Sequence, residues 1–294
     1  MKQSSLRYMI IFMIIMTIPA CRKPAEKPSR PVIITSVFPI CDLVRQVTGK
    51  RMDVQFIIPA GTNPHHYEIR PSQVRNMSQA YGFIGVQTEF DGWIRQYLPD
   101  NSQVLNLMNE NDAYRGPDDS GHNENPHIWL SVREASRIVH SVEEWLARID
   151  PAGRIEYENN AALAVSRLDT LDRTIKKLME PIPNKKFIQW HAAWDRFAAD
   201  YGLHIIGTLQ KGHGREITLK AFQALIGSAR REQVRVVVIG ITQQDPAVKP
   251  LIGEIQGILV RLDTLGDPYR SDRNTYTRFM LRNARLLAQA LEAQ

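Results

Sequence analysis

Between Gly153 and Pro181 the chain has neither glycine nor proline, and Ala161, Ala164, Leu168, Leu171, Ile175 and Leu178 recur there at three- and four-residue steps. That spacing lays one apolar stripe along one helix face. Asp150-Pro151 supplies a capping residue and a first-turn proline, and Glu180-Pro181-Ile182-Pro183 ends the run. A helix of about 28 residues is about 42 Å long at 1.5 Å per residue. That is too long for the crossover of a simple βαβ unit, so the segment is expected to be a strut between two bodies. Heptads do not continue beyond it, which argues against a coiled coil.

Short apolar runs flank the strut on both sides. Val32–Thr35, Val54–Ile58, Phe83–Val86 and Val104–Leu107 precede it; Phe187–Trp190, His204–Gly207, Val234–Ile239 and Ile258–Leu262 follow it. Helix-like segments alternate with them, among them Val132–Ile149 just before the strut, and that alternation marks parallel α/β sheets. The expected fold class is therefore α/β, with two parallel-sheet lobes joined by a long rigid helix. The divisions are a leader over 1–20, a tether over 21–30, an N-terminal lobe over 31–150, a linking helix over 151–182 and a C-terminal lobe over 183–294. No internal repeat is visible at the residue level.

The leader reads as an export signal. Lys2 and Arg7 precede the apolar run Tyr8–Ile18, which is shorter than the roughly 20 residues of a bilayer span. Ile18-Pro19-Ala20-Cys21 looks like a lipobox with an unusual Pro19, and cleavage before Cys21 would leave a thiol for a lipid anchor. Cys41 is then a lone, buried thiol. Two cysteines exclude a disulfide scaffold and a four-cysteine zinc site. The formal charge of +6 invites a nucleic-acid reading, but the first 30 residues hold six basic groups and one acid. Taking these from 37 and 31 leaves 31 basic and 30 acidic groups in residues 31–294. A near-neutral body argues against nucleic acid as a partner.

Three of the eight histidines stand in distinctive settings. His65 lies in Asn63-Pro64-His65-His66-Tyr67-Glu68, His127 in Asn125-Pro126-His127-Ile128-Trp129-Leu130, and His191 directly after a strand in Trp190-His191-Ala192-Ala193-Trp194. Asp263 follows the strand Ile258–Leu262. Ligands collect at the carboxyl ends of strands in open α/β sheets, and three imidazoles with one carboxylate would close a tetrahedron around Zn²⁺. Pattern alone does not separate His65 from His66 and does not assemble four residues so far apart.

These segments, with Val32-Ile33-Ile34-Thr35-Ser36-Val37-Phe38-Pro39-Ile40, Ile58-Pro59-Ala60-Gly61, Pro71-Ser72, Tyr201-Gly202-Leu203 and Leu262-Asp263-Thr264-Leu265-Gly266, resemble the metal-binding solute-binding proteins of zinc- and manganese-uptake ABC transporters. The resemblance covers nearly the whole mature chain. It implies two α/β lobes with a metal in the cleft between them and His65, His127, His191 and Asp263 as ligands. It further implies a membrane permease as partner, an exported, lipid-anchored monomer and no catalysis. Family members with His at the place of His191 lean towards zinc and those with Glu towards manganese, which agrees with the nitrogen preference of Zn²⁺. Zn²⁺ is the expected cargo, with Mn²⁺ or iron as the alternative.

The sequence departs from the family pattern in three places. Thr264 replaces a usual proline, which is expected to loosen the Asp263 loop. Gly240-Ile241-Thr242 stands where a Glu-Pro is common. The long histidine-rich loop of many zinc members shrinks to Asp118–Glu124. His122 and His213 read as loop or rim residues, and His140 and His204 as structural ones. An exported zinc hydrolase is the rival class, but His-Glu-x-x-His and Gly-x-Ser-x-Gly are both missing from the sequence. A surface adhesion role has also been assigned within the family; no residue here specifies an adhesive partner.

Overall fold

The computed structural model describes residues 30–64, 67–108, 125–211, 215–244, 246 and 248–294. The leader, Cys21, nearly all of the tether, His65, His66, His122 and His213 lie outside the described residues.

The first sheet is built from β1 (Val32–Thr35), β2 (Asp53–Phe56), β3 (Gly82–Gly85) and β4 (Gln103–Asn106), with α1 (Phe38–Thr48), α2 (Pro71–Met77) and α3 (Thr88–Asp91) between them. Its order is β2-β1-β3-β4, all parallel, with Ile33 opposite Val54 on one side and Gly82 on the other. Then come α4 (Val132–Ile149) and α5 (Arg154–Met179). The second sheet contains β5 (Lys186–His191), β6 (His204–Lys211), β7 (Arg215–Glu216), β8 (Val236–Gly240) and β9 (Ile258–Leu262). It is flanked by α6 (Asp195–Asp200), α7 (Leu219–Arg231), α8 (Lys249–Ile255) and α9 (Tyr276–Glu292). Its order is β7-β6-β5-β8-β9, parallel except for β7, which pairs antiparallel with β6. The second sheet thus has one strand more than the sequence predicted. No helix among the described residues is long and apolar enough to cross a membrane.

The central strands bury both faces, as parallel sheets do. In β8, Val236 and Val238 join the main core while Val237 and Ile239 join a second cluster behind the sheet. Residues Ile33 and Ile34 of β1 divide in the same way.

The strut is real but begins later than the sequence implies. Pro151–Gly153 forms a 3₁₀ turn, and the α-helix starts at Arg154. Asp150 makes no side-chain cap; its carboxylate instead binds Arg51 (2.8 Å) and the Tyr157 hydroxyl (2.6 Å). A Cβ on residue 153 would run into the Arg51 side chain and the Tyr157 ring, so this close approach requires glycine. The buried stripe runs Tyr157, Ala161, Ala164, Leu168, Leu171, Ile175, Met179. Met179 replaces the expected Leu178 because about 18 residues make five full turns at 3.6 per turn, so Met179 repeats the direction of Ala161. This face packs on α1 and α4 on one side and on α9 on the other. One apolar core therefore continues from Ile33 in the first sheet through α5 to Leu262 and Leu291.

Candidate metal centre

In each sheet the strand order reverses at the middle, between β1 and β3 and between β5 and β8. The carboxyl ends of those strands are where an α/β sheet offers a crevice. His191 is the last residue of β5. His127 opens the 3₁₀ turn Ile128–Leu130 that leads into α4. Their rings lie edge to face with centroids 5.1 Å apart, so residues 64 positions apart meet across the two lobes. His127 is buried against Trp129, at 5.3 Å between ring centroids, and the Nε2 atom of His191 is buried as well.

The proton on His127 follows from its neighbours. Asn125 Nδ2 donates to the Ala192 carbonyl and to Asp195 Oδ2, both at 2.9 Å. Both partners are pure acceptors, so the amide orientation is fixed and Asn125 Oδ1 must accept. It accepts from the backbone N–H of His127 (3.0 Å) and lies 2.7 Å from His127 Nδ1. The hydrogen therefore sits on Nδ1, and Nε2 keeps its lone pair, the tautomer a metal needs. The anchor reaches back to β5. Fully buried Gln189 donates to Asp195 Oδ1 (3.2 Å) and Thr208 Oγ1 (3.1 Å) and accepts from the Trp194 N–H (3.1 Å). The loop after His191 is thereby tied under its own strand.

Further bonds hold the His127 segment on the second lobe. Trp129 Nε1 donates to the Thr264 carbonyl (2.7 Å), Ser131 Oγ to Asp200 Oδ2 (2.6 Å), and the Tyr276 hydroxyl to the Trp129 carbonyl (2.8 Å). The expected loosening at Thr264 is not observed. Trp129 grips its carbonyl, and Asn283 of α9 clamps both the N–H (2.9 Å) and the carbonyl (2.7 Å) of Asp263.

Asp263 is 2% exposed. Its Oδ1 accepts from the N–H groups of Leu265 (2.9 Å) and Gly266 (3.1 Å), and Gly266 takes a left-handed φ of 65° that favours glycine. Oδ2 faces Arg273 Nε at 3.1 Å. Burial pushes the carboxyl up, against the lowering pull of those N–H groups and of Arg273. Among the described residues no three His, Cys, Asp or Glu side chains converge tightly enough to hold one ion. The structure thus brings His127 and His191 together and leaves Asp263 engaged with Arg273. His65 lies outside the described residues, but both sides of its loop are anchored. Thr62 Oγ1 donates to the Pro59 carbonyl (2.7 Å), and Gln73 accepts from the Tyr67 hydroxyl (2.6 Å) while donating to the Ile57 carbonyl (2.6 Å). His140 and His204 are exposed. The sequence reading assigned no role to Asn125, Asp195, Gln189 or Arg273; only Asn125, two residues before His127, carried a signal that could have been read.

Two neighbouring imidazoles, His127 buried with its tautomer fixed and His191 half-buried, fit a nitrogen-preferring divalent ion. The zinc-binding lipoprotein AdcA of Streptococcus pneumoniae (strain ATCC BAA-255 / R6) is 27% identical over 199 residues, 63% of this chain and 40% of AdcA. The chain thus matches about two fifths of that relative's length. The manganese ABC transporter substrate-binding lipoprotein PsaA of Streptococcus anginosus is 23% identical over 257 residues, 82% of this chain and 83% of PsaA. A solved structure of a zinc-bound ZnuA deletion mutant superposes with a TM-score of 0.80 at 24% identity, covering 90% of this chain and 100% of that one. The fold is therefore theirs. The family model for ZnuA, zinc-uptake complex component A, periplasmic, matches residues 33–290, and the chain belongs to that family.

Proposed function

We propose that the protein captures extracytoplasmic zinc and delivers it to the membrane permease of an ABC transporter. The observation that carries this is the His127–His191 pair, drawn from two lobes to 5.1 Å, with the Nδ1 of His127 committed to Asn125. His65 and Asp263 complete the ligand set. Residues 31–150 and 183–294 form the two lobes, with 151–182 linking them. The ion bridges the lobes, and the strut and the bonds around Trp129 restrict them to small movements. The permease reads the bridged form. Cys21 carries the lipid that keeps the exported monomer at the membrane surface. The chain performs no catalysis: its role is to hold and hand over an ion.

Zinc is preferred to manganese because the donors are mainly imidazole nitrogens, and manganese favours more oxygen. The ligand histidines must be neutral, so binding weakens below about pH 6. The test is a competition titration with a chromophoric chelator. His191→Ala is expected to lower zinc affinity by a factor of about 100 or more, since a first ligand costs at least as much as its supporting partners. His140→Ala should leave it unchanged. Equal losses in both variants, no loss at His191, or tight manganese binding without zinc preference would overturn the reading.

A further inference from the structure

Asp263 and Arg273 form a buried ion pair in which charge, not hydrogen bonding, makes the contact. Their side chains are 3% and 15% exposed, and Oδ2 lies 3.1 Å from Nε. Neither of these two atoms has a hydrogen-bond partner among the described residues. Charges so shielded from water interact far more strongly than surface pairs. Arg273 is also confined. Its guanidinium reaches Asp267 at 3.9 Å. The turn that bears it closes on itself, with Asp267 N–H on the Arg273 carbonyl (3.2 Å), Arg270 N–H on the Asp267 carbonyl (3.1 Å) and Arg273 N–H on the Arg270 carbonyl (2.9 Å). A guanidinium keeps its charge at every working pH.

We propose that Arg273 is a specificity-determining residue that occupies the carboxylate of Asp263 as an internal cation, so that an incoming metal must compete with it for the site's one anionic oxygen. This rests on the reading of His65, His127, His191 and Asp263 as the cargo site. An ion satisfied by imidazole nitrogens loses little by this competition. An ion that needs oxygen donors loses more. Arg273 therefore discriminates against manganese without touching the metal, and it favours release by returning to Asp263 when the ion leaves.

The experiment measures Zn²⁺ and Mn²⁺ affinities of the full mature chain by chelator competition, for the parent protein, Arg273→Gln, Asp263→Asn and the double variant. Arg273→Gln is expected to raise Mn²⁺ affinity about tenfold and Zn²⁺ affinity by threefold or less, and the gain should vanish in the double variant. An unchanged Mn²⁺-to-Zn²⁺ ratio, a loss for both metals, or a gain that survives Asp263→Asn would overturn the proposal. Should Arg273→Gln fail to fold, Arg273→Met is measured in its place, alone and with Asp263→Asn, with the same expected and overturning results. Failure of the site reading itself shows separately, as undiminished zinc binding in His191→Ala.

Discussion

Replacing Asn125 by alanine tests how the histidine pair is prepared. The amide takes part in four hydrogen bonds, to Ala192, Asp195 and both nitrogens of His127 that face it. Neutral hydrogen bonds contribute about 0.5–1.5 kcal/mol each and those to charged groups about 1.5–3. The site is only partly buried, so water replaces part of what is lost, and a stability loss of about 2–4 kcal/mol is expected from urea unfolding. The second effect is on the cargo. Without Oδ1, His127 can rotate or place its hydrogen on either nitrogen, and loss of such a supporting partner costs about 10–100-fold in metal affinity. Asn125→Asp separates the two effects. It keeps an acceptor for Nδ1 but sets a carboxylate 2.9 Å from Asp195, so zinc affinity should recover further than stability. Zinc affinity within threefold of the parent in a folded Asn125→Ala protein would refute the argument.

Leu168→Ala in the buried face of α5 should cost about 2–5 kcal/mol, read by urea unfolding, while zinc affinity of the folded protein stays the same. Burial pushes the Asp91 carboxyl up to about 6, against the N–H groups of Val86 and Gln87 that bind it. The native state then holds this proton more tightly than the unfolded chain, whose value is 3.8. Its contribution is thus fully present below that value and fades as pH rises through about 6, by on the order of 3 kcal/mol. Asp91→Asn should remove that slope from urea midpoints measured between pH 4 and 7; a parent-minus-variant difference that grows with pH would refute it. Burial also pushes the Cys41 thiol up to about 12, so iodoacetamide at pH 8 should spare it in the native protein and label it fully after unfolding.

The sheets were legible because their strands are short apolar runs cut off by polar residues and glycines. Val32–Thr35 and Ile258–Leu262 match the observed strands end for end. β7 was not legible, since two residues pairing at an edge carry no period. The strut was legible from its stripe, but its start was not. Whether Asp150 caps a helix or binds Arg51 depends on a residue 99 positions away. The same limit governs the site. His127 and His191 stood out by local setting and by family resemblance, whereas the amide that fixes one and the guanidinium that occupies Asp263 act through space. A residue such as Arg273, ten positions beyond the aspartate in a polar turn, looks like any solvated cation until the fold turns it inward.

The core that runs unbroken along α5 has a thermodynamic consequence. Each sheet keeps a smaller apolar cluster on its far face, but the main core is shared by both lobes, since α1, α4 and α9 all pack on the same helix. Melting should therefore be one event for the main body, and an ion held only by the folded form raises its melting point by mass action, adding about 2.7 kcal/mol of stability at a hundredfold excess over its dissociation constant. Heat resistance measured anywhere along the chain then serves as a gauge of how full the cleft is.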